Sequence, residues 1–486
     1  MSENLNASPD TDLKSKVVSG FKWLTMAKFM GQLINWVLSF WVIRLLAPSD
    51  YGLMAMAASF IAILALFNEM GMGAVLIQLP ELSRRLIQQV FGITLVVNFS
   101  LFGLVLVSAP AIALFFAEPQ LTPVLRLLAV QFAVTSFLIV PQALLDRELD
   151  FKHKSLVDLA ANLIAGMVSL TLALNHYGVW SLVWASVILV SLRTLGYNYL
   201  KPHACLPSFN FSGIRSSMVF GGQITLEKLL WYLYSQADVL IIGKLLGKDA
   251  LGFYSVGKHV AGLLADKIMP IVNQVVFPAF SRIQGDGPAV AKALLRGVCL
   301  LGLISFPVFW GLSAVSHELI PQVLGAKWEP AVFPLLLISL ILPLKMINGI
   351  LVAALKGIQR ADITLQNAMV PLLLMVPAFW LGTTWGINGV CMAWLLVYPV
   401  CFFITSFRAS RFFMLSYGQI WQEILPTLAC TGLMYVGVTA GRVLPMAQLP
   451  EIWKLVLSVE LGVVIYGGSQ WLFNRSRVGQ IRDFIG

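Results

Sequence analysis

The chemistry of this chain is concentrated in a few ionisable side chains set in long apolar sequence. Lys28, Gln32, Asn35 and Ser39 are spaced four, three and four apart, which places them on one face of a helix. Gln223, Glu227, Trp231, Tyr234 and Asp238 keep the same rhythm. Shorter stripes are formed by Asp158, Asn162 and Ser169, and by His259, Gly262, Asp266 and Asn273. If the chain turns near residue 248, residues equidistant from the turn lie at equal depth. Glu227 then faces Lys267, Lys228 faces Asp266, and Asp238 faces Lys258. In an apolar medium such pairs either tie two helices together or line a solvated path and exchange partners with a charged ligand. Both readings stay open at this point.

The same residues exclude most catalysis. There is no Gly-rich phosphate loop with its Lys and Ser/Thr, no His-Glu-x-x-His metal motif and no Gly-x-Ser-x-Gly nucleophile turn. His153, His176, His203, His259 and His317 lie far apart. Cys205, Cys299, Cys391, Cys401 and Cys430 are odd in number and show no metal-ligand spacing. The expectation is a protein that is not an enzyme, with no catalytic residue, no metal site and no cofactor.

What must position the stripes is a membrane. Of 486 residues 58% are apolar and only 12% charged, against roughly 25% charged in a soluble domain. Mean hydropathy is +0.83. Soluble enzymes and secreted disulfide scaffolds are excluded. The net charge of +10 does not imply a nucleic-acid partner, because the basic residues sit where membrane topology wants them. A crossing helix needs about 20 apolar residues, and the runs here are long and do not alternate, so helices are expected and not a barrel. Fourteen spans are expected at about 19–46, 51–70, 88–117, 122–145, 155–176, 178–200, 217–246, 250–277, 293–316, 331–355, 363–384, 386–407, 420–443 and 452–473. The loops between them leave no room for a soluble catalytic or ATPase domain.

Loop charge sets the orientation. One alternate set of loops and tails holds twenty Lys and Arg, among them Arg84, Arg85, Lys152, Lys154, Arg408 and Arg411. The other set holds seven: Arg44, Arg126, Lys244, Lys248, Lys327, Arg442 and Lys454. Both termini are therefore expected in the cytoplasm. Lys28, Arg193, Lys228, Lys258, Lys267 and Lys345 fall inside spans.

An internal repeat is also legible. Arg44-Leu-Leu-Ala-Pro-Ser-Asp-Tyr-Gly52 is echoed 200 residues later by Lys244-Leu-Leu-Gly-Lys-Asp-Ala-Leu-Gly252. Asp158 and Asn162 recur as Asp362 and Gln366, and Tyr177-Gly-Val as Trp385-Gly-Ile. Spans 1–6 thus match spans 7–12 in one orientation, a known transporter plan with its site between the halves. The expected fold is an all-α integral membrane protein of two parallel six-helix bundles plus two C-terminal helices. Its parts are a cytoplasmic tail at 1–18, bundles at 19–200 and 217–407, cytoplasmic linkers at 201–216 and 408–419, a helix pair at 420–473 and a basic tail at 474–486. Prolines within spans, such as Pro141, Pro270 and Pro377, permit kinks. The basic, aromatic linkers and tail suit an anionic membrane face.

Several segments resemble the polysaccharide transporter family, and within it the colanic-acid type of lipopolysaccharide biosynthesis flippase. They are Arg44-Leu-Leu-Ala-Pro-Ser-Asp-Tyr-Gly-Leu, Gly71-Met-Gly-Ala-Val-Leu-Ile-Gln78, Leu144-Leu-Asp-Arg-Glu-Leu-Asp-Phe-Lys152, Ala237-Asp-Val-Leu-Ile-Ile-Gly-Lys-Leu-Leu-Gly247, Val276-Phe-Pro-Ala-Phe-Ser-Arg-Ile-Gln284 and Leu324-Gly-Ala-Lys-Trp328. The resemblance runs from about residue 17 to about 410 and weakens over the last two spans. It implies the multidrug, oligosaccharidyl-lipid and polysaccharide exporter superfamily, with a V-shaped cavity lined by helices 1, 2, 7 and 8. It further implies movement of an undecaprenyl-diphosphate-linked oligosaccharide across the bacterial plasma (inner) membrane by ion-coupled alternating access, with a proton or sodium as coupling ion. Other polysaccharide-assembly proteins and membrane lipids are the remaining partners.

On the residues themselves, Lys28, Lys228, Lys258 and Lys267 are expected to attract the diphosphate. Gln32, Asn35, Gln223, Tyr234 and Trp231 would solvate and stack on sugars. Glu227, Asp238 and Asp266 would hold the lysines in the empty state and take up the coupling ion. The alternatives are a drug or cation exporter of the same superfamily, which would favour an acidic cavity, a membrane glycosyltransferase or polymerase, which would need a large outer loop, and a flippase for the peptidoglycan lipid precursor, which the motifs fit less well.

Overall fold

The computed structural model describes residues 30–68, 73, 76–77, 82–202, 206–210, 215–441 and 450–474, with the side chains at 215–228, 230, 231, 361 and 451 set aside. Helix α1 covers 30–45. It is followed by α2 (Pro48–Ala65), α3 (Arg84–Phe116), the bent pair α4a (Leu121–Thr135) and α4b (Ile139–Arg147), α5 (Phe151–Leu174) and α6 (Trp180–Leu200). The helical stretch Arg215–Ile283 breaks at Gly247, whose φ of 83° is non-helical, and so divides into α7 (215–246) and α8 (248–283). Then come α9 (Gly287–Ala314), α10 (Val332–Gly357), α11 (Ala361–Gly382), α12 (Gly386–Phe412), α13 (Tyr417–Gly441) and α14 (Glu451–Phe473).

Helices thus stand at the places of the expected spans. Among the described residues ten helical stretches are long and apolar enough to cross a membrane, and eleven with the bent pair. Two of the ten, Tyr232–Ile283 and Asp362–Phe412, have 52 and 51 residues, each enough for two crossings. Large apolar side chains stand fully out along them: Val107 is 81% exposed, Leu114 80% and Val464 69%. Water would not tolerate so many, whereas lipid tails do. The chain is a multi-pass membrane protein.

The span expected at 122–145 is bent by 48°, and the cause is local. Pro141 has no N–H to give the carbonyl of Phe137, and its ring crowds that oxygen. The freed Phe137 carbonyl accepts instead from Asn198 Nδ2 of α6 at 2.9 Å. Other polar groups are closed in the same way. Buried Asn98 donates to the carbonyls of Asn68 (3.0 Å) and Thr94 (2.8 Å).

The described residues gather into two compact units. One comprises those within Met1–Ala47 and Phe60–Lys228, the other those within Pro48–Ser59 and Leu229–Gly486. In the first, α5 and α6 are tied by Asp158. Its carboxylate accepts from the Tyr197 hydroxyl at 2.9 Å and lies 3.0 Å from the Arg193 guanidinium, off the hydrogen-bonding line. In the second, α13 and α14 lean on α9: Met434 and Val438 pack against Ala314 and Val315, and the Tyr466 hydroxyl donates to the Leu303 carbonyl at 2.8 Å.

The second unit also holds a reciprocal crossing. A Cβ added to Gly52 would lie 1.8 Å from the Lys248 carbonyl oxygen, and one added to Gly252 would lie 1.8 Å from the Pro48 carbonyl oxygen. Gly52 and Gly252, like Pro48 and Lys248, are the positions paired by the repeat. The starts of α2 and α8 therefore meet main chain on main chain. Tyr51 and Phe253 set their rings edge-on to the fully buried Trp328, at centroid distances of 5.7 and 6.0 Å.

Neither carbonyl can retreat without moving its helix. Gly52→Val and Gly252→Val should each cost about 1–3 kcal/mol, the range for overpacking, and lower the thermal midpoint of the purified protein. An unchanged midpoint would show that the crossing yields. Outside the membrane, Asp150 caps α5 by accepting from the His153 amide at 3.3 Å and from its ring at 2.8 Å. The hydrogen bond from His153 holds the Asp150 carboxyl below the usual carboxylate range. Its contribution is present above that usual range and lost as pH falls through the lowered value. Asp150→Ala should speed amide exchange at residues 151–154 at neutral pH, with the difference from wild type vanishing in acid.

Candidate functional site

A carboxylate inside a membrane bundle must be matched by hydrogen donors, and Asp238 on α7 is fully buried. Gly247 turns the chain back so that α8 runs antiparallel to α7, bringing Lys258 opposite Asp238. Lys258 Nζ donates to Asp238 Oδ2 at 2.6 Å. The Tyr254 hydroxyl, one helical turn earlier on the same face, donates to the same oxygen. The Val239 amide donates to Oδ1 at 2.8 Å. Each of these three partners gives a hydrogen, so the carboxylate offers little to a metal cation, whose ligands must be oxygen acceptors.

The network continues to α12. Trp394 Nε1 donates to the Tyr254 oxygen at 2.8 Å. Its indole packs among Phe379, Tyr398 and Tyr234, with ring centroids 5.1, 5.8 and 6.3 Å away. On its face lies Lys345 of α10, Nζ 4.4 Å from the ring centroid. Each bond supports the next. The Asp238 charge makes the Tyr254 oxygen a better acceptor, the indole N–H then donates more strongly, and the ring facing Lys345 becomes more electron-rich.

Beside this network is a cavity of about 310 Å³ within the second unit. Its polar wall is Gln236, Ser255, Lys258, His259, Asp266 and Lys345, and Trp394 closes one side. Volumes from about 300 Å³ upward are typical of ligand pockets. The Ser255 hydroxyl is buried with no hydrogen-bond partner among the described residues.

Of the residues singled out in the sequence, the cavity brings together Lys258, His259, Gly262, Asp266 and, through its ion pair, Asp238. The Asp238–Lys258 pair expected from the hairpin is present. Tyr234 is buried behind Trp394 and does not line the cavity. Lys267 is exposed and outside the wall. Gln32 and Asn35 are half-buried on α1, with the Asn35 side-chain oxygen 3.8 Å from where a Cβ on Gly166 of α5 would stand. Lys28 lies outside the described residues, as do the side chains of Gln223, Glu227, Lys228 and Trp231, and so do the pairings Glu227–Lys267 and Lys228–Asp266. The sequence reading missed Tyr254, Trp394 and Lys345 as members. Tyr254 was within reach, four residues before Lys258 and so on its face. Lys345 and Trp394 arrive from two other helices, and no spacing links them to Asp238.

Residues 41–333 match the protein family described as "Polysaccharide biosynthesis protein", more than half of the chain. The chain is similar to the lipopolysaccharide biosynthesis protein WzxC of Escherichia coli (strain K12), with 25% identity over 431 residues, 86% of this chain and 87% of that one. It is likewise 25% identical over 464 residues to the teichuronic acid biosynthesis protein TuaB of Bacillus subtilis (strain 168), covering 93% and 95%. Its fold is similar to that of the lipid II flippase MurJ in an inward closed conformation, with a TM-score of 0.75, 14% identity and coverage of 94% and 99%.

Removing one member of a buried ion pair leaves the other uncompensated, at about 3–5 kcal/mol. Asp238→Asn should destabilise the protein by about 3 kcal/mol, and adding Lys258→Met should recover much of that loss. A double variant that simply sums the two single losses would mean the pair is not coupled.

Proposed function

We propose that this chain, which belongs to the polysaccharide biosynthesis protein family, carries an undecaprenyl-diphosphate-linked oligosaccharide from the inner to the outer leaflet of the bacterial plasma membrane. The observation that carries this reading is a polar, lysine-bearing cavity inside a lipid-embedded helical bundle. A diphosphate head needs cations where lipid offers none, and sugars need hydrogen-bonding groups. The names of the similar proteins support it: a lipopolysaccharide biosynthesis protein, a teichuronic acid biosynthesis protein and a lipid II flippase. Lys258 stands in the cavity, and Lys28, Lys228 and Lys267 are proposed as further attracting cations along the route. Gln32, Asn35, Gln223 and Trp231 are proposed to contact sugars, and Tyr234 to hold Trp394 in place. The excess of Lys and Arg in one set of loops supports cytoplasmic termini.

A coupling ion would bind where acids meet the cavity. The described partners of Asp238 are hydrogen donors, which cannot complete a sodium shell, so a proton is proposed as the coupling ion, with Asp238, Asp266 and Glu227 as the carboxylates that would take part. A cation exporter fits less well, because two lysines and two aspartates leave the described wall and its ion pair without the acidic excess a cationic cargo would need. Other polysaccharide-assembly proteins would supply the cargo and receive it.

The test is loss of the gene and reconstitution. Cells without the protein should accumulate a lipid-linked glycan on the inner leaflet, and vesicles containing it should flip that lipid. Flipping should respond to a pH gradient and ignore a sodium gradient, and Lys28→Ala or Lys228→Ala should slow it at least tenfold at unchanged protein level. Purified protein that forms sugar linkages would instead make it a glycosyltransferase. Flipping indifferent to both gradients would remove the coupling.

A further inference from the structure

Lys345 is a cavity cation that no described carboxylate reaches within ion-pair distance. Lys258 is occupied: Asp238 holds it at 2.6 Å, and the Ser235 carbonyl accepts from it at 3.3 Å. Lys345, by contrast, makes no hydrogen bond or ion pair among the described residues. It lies on the Trp394 ring face, which steadies an ammonium without using its three N–H donors, and Asp238 and Asp266 act on its charge only from beyond ion-pair distance. Asp266 lines the same cavity, but its oxygens lie beyond ion-pair distance of Lys345 among the described contacts. The other donors on the cavity wall are the Gln236 amide, the Ser255 hydroxyl, which has no hydrogen-bond partner among the described residues, and the His259 ring. A charge in such a place is costly unless something anionic completes it.

We infer that the wall formed by Lys345, Ser255, Gln236 and His259 is an oxyanion-binding subsite, in which Lys345 supplies the charge and Trp394 fixes its position. The ligand chemistry is a compact group with several negative oxygens. Two sources exist within the proposed function, on which this inference rests: the diphosphate of the carrier lipid and the carboxylate of an acidic sugar. A space of about 310 Å³ holds roughly ten waters at about 30 Å³ each. It admits a diphosphate or one sugar ring, so the subsite can grip one charged end of the cargo. The indole-to-tyrosine-to-Asp238 network then acts as its support. It keeps Lys258 neutralised and leaves Lys345 as the cation that exchanges partners.

Amine acetylation of the purified full-length protein in nanodiscs, read residue by residue by mass spectrometry, tests this without transport. The probes are farnesyl diphosphate, inorganic pyrophosphate and glucuronate at constant ionic strength, each also titrated against the protein. Protection of Lys345 by about tenfold or more with the two diphosphates, and little change at Lys258, is the expected result and assigns the subsite to the carrier lipid. Protection by glucuronate alone supports the subsite and assigns it to an acidic sugar. Lys345→Gln should weaken the protecting probe by about tenfold, the scale of one charged hydrogen bond, and Lys345→Arg should retain it. Equal acetylation of Lys345 with and without all three probes overturns the inference. That failure alongside intact flipping by the same protein would leave the proposed function standing, whereas failure of flipping with protection intact would do the reverse.

Discussion

A carboxylate with no exposed surface, embedded where the solvent is lipid, dictates much of the second unit. Asp238 cannot be left to itself, so α8 must return at the right register to bring Lys258 and Tyr254 against it. The turn that permits this register is made at Gly247, in a backbone region that suits glycine. Tyr254 then requires a donor for its own oxygen, which Trp394 supplies from α12. One buried charge thus fixes the relation of three helices. Ion pairs of this kind add little net stability relative to apolar packing. What this one contributes is a defined place for each member, which an apolar seam between membrane helices would not specify.

The two units solve the same problem differently. In the first, Asp158 bridges α5 and α6 to Tyr197 and Arg193. The repeat-related Asp362 on α11 turns instead to its neighbour Arg360, at 2.9 Å and largely exposed. The job of joining α11 to α12 passes to Gln366, which accepts from Arg408. Positions that correspond in sequence therefore keep a polar group and a helix-pairing role while their partners differ. The deep cluster around Asp238 belongs to the second unit alone among the described residues, and that asymmetry gives it a cavity with chemistry of its own.

Much of this was legible before any coordinates. The apolar runs marked where helices stand, because a span has a minimum length and lipid admits no other open structure. Hairpin geometry gave the Asp238–Lys258 pair, because the depth of a residue follows from its distance to the turn. Local rules could not reach further. The bend near Phe137 follows from Pro141, but its tolerance depends on Asn198, sixty-one positions away. Trp394 and Lys345 join the site through packing of α10 and α12, which no periodicity in either helix encodes. Tyr234 shared a stripe with Asp238, yet one face of a helix is wide enough to serve both a cavity and the core behind it.

The meeting of Gly52 and Gly252 has a further consequence. Its two tightest approaches are each a glycine against a carbonyl oxygen, so no side chain can be trimmed there to make room. The two glycines also share one gap: enlargement at either is felt by the other's neighbour, whichever half mutates. The start of each helix thereby constrains which residues the other can carry.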